Sequence, residues 1–102
     1  MLELRPNCEC CGKDLPPSAT DARICAYECT FCAECVEKVL HNVCPNCGGA
    51  FAPRPIRPVL ERRPGVSLGK QPASTRRVHL KWSHNEIAEF ARRVRDIRPE
   101  DR

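Results

Sequence analysis

A chain of 102 residues has room for one small domain, and only 24 of them are Ile, Leu, Val, Phe, Met, Trp or Tyr, too few for a self-sufficient core. The hydrophobic fraction of 41% leans on nine Cys and nine Ala, so something besides hydrocarbon is expected to hold the fold together. The net charge of +4 hides two halves: residues 1–50 carry four Lys and Arg against seven Asp and Glu, residues 51–102 carry thirteen against six, and every cysteine lies in the acidic half.

The opening MLELRPN has neither a basic n-region nor an apolar h-region, and no apolar run approaches the roughly 18 residues of a membrane span. A cytoplasmic, reducing compartment is therefore expected. Closely spaced cysteines then read as metal ligands before disulfides.

In chain order, eight cysteines form four pairs: Cys8 with Cys11, Cys25 with Cys29, Cys32 with Cys35, and Cys44 with Cys47. A CxxC turn brings two sulfurs to one ion, and a tetrahedral zinc wants four such donors at about 2.3 Å. Gly12 after Cys11, and Gly48 and Gly49 after Cys47, let the chain turn behind the second ligand, and Pro45 presets the other turn. After Cys35, Val36, Val39, Leu40 and Val43 recur with helical spacing, and their stripe with Leu15, Ile24, Tyr27 and Phe31 is the candidate core. Pro53, Pro55, Pro58 and Pro64, interleaved with Arg54, Arg57, Arg62 and Arg63, predict an extended basic linker over residues 53–77 between a domain at 1–52 and a terminal unit at 78–98. In that unit Val78, Leu80 and Trp82 alternate as in a short strand. Ser83 and Glu86 then form a capping box for a helix stopped by Pro99, with Ile87, Phe90, Ala91, Val94 and Ile97 on one face and Glu89 placed to pair with Arg93.

The order CxxC, CxxxC, CxxC, CPNC resembles the cross-brace of RING-type zinc domains in an all-cysteine version, with Cys29 where a histidine usually stands. The resemblance covers Cys8 to Cys47. It implies a small zinc-stabilised α+β fold of RING-like, treble-clef type with two Zn2+ ions, one on Cys8, Cys11, Cys32 and Cys35, the other on Cys25, Cys29, Cys44 and Cys47. Structural zinc contributes roughly 10 to 16 kcal/mol per site in small finger peptides, so metal and fold are expected to be lost together. The stretches MLELRPNCECCGKDLPP, ARICAYECTFCAECVEKVLHNVCPNCGG and RPIRP further resemble a bacterial family of short cysteine-rich proteins, domain of unknown function 1272, over roughly residues 1–58. That family implies a zinc protein and no activity.

A RING ubiquitin ligase presents an apolar residue between its first two cysteines and a basic one after its last pair. Here those places hold Glu9 and Cys10, then Gly48 and Gly49, which argues against ligase activity. Four-thiolate sites are closed, so the metal is expected to be structural and the chain no enzyme. The HxE of His84 and Glu86 lacks the downstream PCxxC of nucleobase deaminases. Cys10 is a spare thiol, with a redox-sensor role as its sharper reading, and His41 a surface imidazole with ligand exchange as its alternative. The main expectation is an interaction or adaptor module whose Ile87, Phe90, Val94 and Ile97 stripe docks either on the zinc domain or on another protein or a second copy. The alternative is a nucleic-acid-binding zinc protein using Arg54, Arg57, Arg62, Arg63, Arg76, Arg77, Lys81 and Trp82. No membrane partner or small-molecule substrate is expected.

Overall fold

In the computed structural model, which describes residues 1–102, the chain forms β1 (Ala22–Ile24), β2 (Thr30–Cys32), α1 (Ala33–Lys38), β3 (Ala52–Pro53), α2 (His84–Val94) and a final 3-10 turn over Pro99–Asp101. The strands make one antiparallel sheet in the order β2-β1-β3. In the β1–β2 hairpin Ala22 faces Cys32 and Ile24 faces Thr30, and β3 lies along the other side of β1 with Arg23 opposite Pro53. A proline is tolerated there because β3 is an edge strand. Strands this short span about 10 Å and need support at both ends, which the cysteine clusters supply.

Hydrocarbon in the core is scarce. Phe31 is fully buried and meets Phe51 edge-on, ring centroids 5.3 Å apart and planes at 74°. Leu4, Leu15, Leu40, Val43 and Ile87 join it, and cysteines make up nearly half of the buried apolar residues. Tyr27, expected inside, is 75% exposed. It sits in the turn between Cys25 and Cys29, where its N–H donates to Cys25 Sγ at 3.3 Å. That turn points sulfur inward and the ring outward.

The helical spacing of Val36, Val39, Leu40 and Val43 is used differently from the expectation. α1 begins before Cys35 and ends at Lys38; Val39 caps it. His41 and Asn42 then adopt positive φ, 51° and 60°, and reverse the chain toward Cys44, which leaves Leu40 and Val43 buried in the turn. Eight residues between Cys35 and Cys44 are too few for a longer helix and a return.

The second half is attached to the first. The boundary expected after residue 52 falls inside β3. Arg54, assigned to a linker, is 4% exposed and its guanidinium donates to the carbonyls of Arg5, Leu15 and Pro16 at 2.9, 3.2 and 2.9 Å. Arg57 donates to the carbonyls of Leu2 and Gln71 at 2.8 and 2.7 Å. Residues 78–82 form no strand. Their backbone is bound instead by the Asn7 side chain, which bridges both polar groups of Val78 (2.9 and 3.2 Å), and by the Glu9 carbonyl, which accepts from Leu80 (2.9 Å).

α2 carries the capping box: Ser83 Oγ accepts from the Glu86 N–H and the Glu86 carboxylate accepts from the Ser83 N–H, which holds that carboxyl below its usual range. It ends at Val94, before the expected limit. Pro99 forces Arg98 into an extended conformation, ψ 142°, and the helix must stop upstream. Glu89 pairs with Arg92, and Arg93 lies over the Phe90 ring at 5.6 Å instead of meeting Glu89.

Replacing Arg54 with Ala strips three carbonyls, that of Leu15 buried and those of Arg5 and Pro16 partly so, of their partner. The expected loss is about 2–3 kcal/mol of stability, read as a lower urea midpoint at fixed metal concentration.

Candidate metal centre

The first knuckle is built by Cys8 to Lys13. The Cys8 N–H donates to the Lys13 carbonyl and the Gly12 N–H to the Cys8 carbonyl, 2.8 and 2.9 Å, a closed turn that only φ +81° at Gly12 permits. The second knuckle repeats that pattern residue for residue: Cys44 N–H to the Gly49 carbonyl, Gly48 N–H to the Cys44 carbonyl, 2.8 and 2.7 Å, with Gly48 at φ +79°. Two copies of one turn thus present Cys8 with Cys11, and Cys44 with Cys47.

The β1–β2 hairpin serves both. Its open end places Cys32, and α1 places Cys35 one turn on, so that the sulfurs of Cys8, Cys11, Cys32 and Cys35 all lie within 4.8 Å of one another. Its turn places Cys25 with Cys44 and Cys47 within the same limit. Cys29 stands outside that triplet, next to it. Its sulfur accepts from Asn46 Nδ2 at 3.4 Å.

These residues fit a soft divalent cation. All nine cysteines are free thiols, and the Cys11–Cys32 sulfur separation of 3.8 Å is no disulfide. It equals the edge of about 3.8 Å expected of a tetrahedron with metal–sulfur bonds of about 2.3 Å. N–H groups already aim at the sulfurs, from Cys11 to Cys8 (3.4 Å), Tyr27 to Cys25 (3.3 Å) and Gly49 to Cys47 (3.4 Å). Such donors stabilise bound thiolates.

Burial, reinforced by the neighbouring sulfurs, pushes the Cys35 thiol far up, and burial does the same to Cys44. Cys29 and the half-buried Cys10, whose thiol lies beside Cys35, are raised for the same first reason. These raised thiols therefore favour their protons, which a metal binding Cys29, Cys35 or Cys44 must expel.

The remaining site candidates separate clearly. Ile87 is buried in the same cluster of core residues as the cysteines, Phe90 packs over Gly48 and Val94 is half-buried, so this stripe docks on the chain's own cysteine-rich half; Ile97 is 42% exposed beyond the helix. Of the basic residues, Arg54 and Arg57 are held by carbonyls, Arg76 pairs with Glu3 at 3.5 Å, and Arg77 binds Asp14 and the Gly12 carbonyl at 2.8 and 2.7 Å. The Trp82 indole N–H is taken by Asn46 Oδ1 at 2.9 Å. Arg62, Arg63 and Lys81 point into solvent. His41, His79 and His84 are exposed.

Three residues carry weight that the sequence did not signal. Asn7 is buried and ties the first knuckle to Val78. Glu9 is buried, accepting from Arg5 (2.8 Å) and the Thr30 N–H (2.6 Å). Asn46 bridges Trp82 to Cys29. The only signal was position, since each stands beside a ligand cysteine.

A small α+β framework with two cysteine clusters, each able to hold a metal ion, defines a cysteine-rich domain with two candidate metal sites. Residues 1–57 match the model of the family described as protein of unknown function (DUF1272), more than half of the chain, and the chain belongs to that family. It is also 58% identical over 78 residues, 76% of this chain and 86% of the relative, to an uncharacterized protein of Rhizobium meliloti (strain 1021). That likeness is longer than the family match and reaches into the basic half. No solved structure matches the chain. No helix is long and apolar enough to cross a membrane.

Because metal uptake must expel protons from Cys35 and Cys44, affinity should rise with pH. Competition against a chelator at pH 6, 7 and 8 is expected to show binding tightening about tenfold per unit for each proton released.

Proposed function

We propose that this protein is a non-catalytic interaction module, a RING-like cross-brace of treble-clef type whose two zinc ions, one on Cys8, Cys11, Cys32 and Cys35, the other on Cys25, Cys29, Cys44 and Cys47, replace a hydrophobic core. The interleaving of the two clusters carries the reading. Cys25 to Cys29 lies in the chain between the two halves of the first site, and Cys32 to Cys35 between the two halves of the second, so each ion braces the loop that feeds the other. Four thiolates leave no coordination position for water or substrate and quench Lewis acidity.

Support for interaction comes from the loop at residues 56–66. Ile56, Val59, Leu60 and Val66 are 52%, 70%, 60% and 53% exposed, and Arg62 and Arg63 stand among them without an ion-pair partner. Aliphatic side chains flanked by free guanidinium groups suit an acidic protein surface with an apolar centre. Nucleic-acid binding is the second reading and has fewer side chains left to serve it, because four of its arginines are spent within the chain.

Metal analysis of the reduced protein is expected to give two zinc per chain and a colourless solution, whereas iron would absorb visibly. Chelation should abolish far-ultraviolet helix signal; a chain that stays folded without metal overturns the reading. A Val59→Asp, Leu60→Asp variant is expected to keep both ions while losing its captured protein partner. Steep salt-dependent binding to random DNA, unchanged in that variant, would favour the nucleic-acid reading instead.

A further inference from the structure

We propose that Asn46 and Trp82 are positioning residues for Cys29, and that the segment Trp82–Arg102 latches the second cysteine centre, so that this centre alone holds its metal conditionally. The inference rests on the reading of both clusters as zinc sites.

In the first centre all four sulfurs converge, with a backbone N–H on Cys8. In the second, three sulfurs converge and the fourth, Cys29, lies beside Cys25 but outside the converging set, with a side-chain amide on its sulfur. Asn46 Nδ2 donates to Cys29 Sγ, and Asn46 Oδ1 accepts from the Trp82 indole, 36 residues away in sequence. The indole therefore fixes which end of the Asn46 amide faces the sulfur. Turned over, that amide would set an oxygen against a thiolate and repel it.

The rest of the segment grips the same knuckle. The Phe90 ring packs on Gly48, 3.4 Å from where a side chain there would begin, an ordinary contact distance, so α2 sits directly on the knuckle turn. Arg102 donates to the carbonyls of Asn42 and Gly48 at 2.8 and 3.3 Å. Between Trp82 and the knuckle a cavity of about 280 Å³, lined by Arg5, Glu9, Cys29, Asn46 and Trp82 among others, gives Cys29 room to leave the metal. A three-sulfur centre with a detachable fourth ligand releases its ion through an open position.

The test uses the full-length, zinc-loaded protein and the variants Trp82→Phe, which keeps the ring and loses the donor, Asn46→Asp, and Arg102→Ala. Zinc release to a chromogenic chelator is followed in time, with alkylation of each cysteine mapped by mass spectrometry. In Trp82→Phe and Arg102→Ala one equivalent should leave about tenfold faster, with Cys29 alkylated first, while the other equivalent keeps its rate. Asn46→Asp retains the Trp82 bond, loses the N–H to sulfur and adds a negative charge; its release should be faster still. Cobalt substitution provides the spectroscopic check, with one of two thiolate–cobalt bands shifting in Trp82→Phe. Unchanged kinetics, or equal acceleration of both equivalents, overturns the latch while leaving the two-zinc reading intact. A wild-type chain that binds fewer than two ions overturns both.

Discussion

Sulfur takes the place of hydrocarbon at the centre of this chain. A buried thiol is a small, soft hydrophobe until a cation converts four of them into a single cross-link. The geometry suits that conversion, through two repeated knuckles, N–H groups aimed at sulfur, and a sulfur separation that matches a tetrahedral edge. Everything else is small by comparison. The strands are two or three residues long and α1 barely exceeds one turn, so neither would persist without the clusters that end them.

The two halves of opposite charge turn out to be one body, and the joints are of a particular kind. Ion pairs such as Arg77 with Asp14 are exposed and contribute little. The strong joints are buried side chains that satisfy backbone groups: Arg54 on three carbonyls, Asn7 on Val78, Glu9 on Thr30. Burial lowers the Arg54 affinity for its proton, yet a guanidinium stays charged at any ordinary pH, so its position must be permanently solvated by those carbonyls.

What the sequence disclosed follows from this division. Three of the ligand pairs, the knuckle glycines Gly12 and Gly48, and the Ser83–Glu86 capping box are local patterns found where their spacing placed them, while the fourth pair leaves Cys29 outside the converging sulfurs. Arg54 looked like linker because proline neighbours speak to backbone conformation and are silent about what the side chain touches; farther on, residues 59–71 are mostly bends and turns and do not continue as an extended segment. Val36 to Val43 matched a helix because a helix followed by a reversal buries the same residues. Tyr27 was assigned inward by its ring, whereas the CxxxC turn around it is oriented by sulfur. Asn46 was invisible since its partners are 17 residues upstream and 36 downstream.

The order in which the ligands appear has a consequence for biosynthesis. A ribosome delivers Cys8, Cys11, Cys25 and Cys29 before any of the later four, so a nascent chain first exposes a quartet drawn from both centres. An ion captured then would be wrongly shared. Pairing of Ala22 with Cys32 works against this, because the zipped hairpin holds Cys32 at its open end and Cys25 just past the last pair, in its turn. On the two-zinc reading the hairpin would act as a sorting device, its three residue pairs keeping Cys32 and Cys25 at opposite ends.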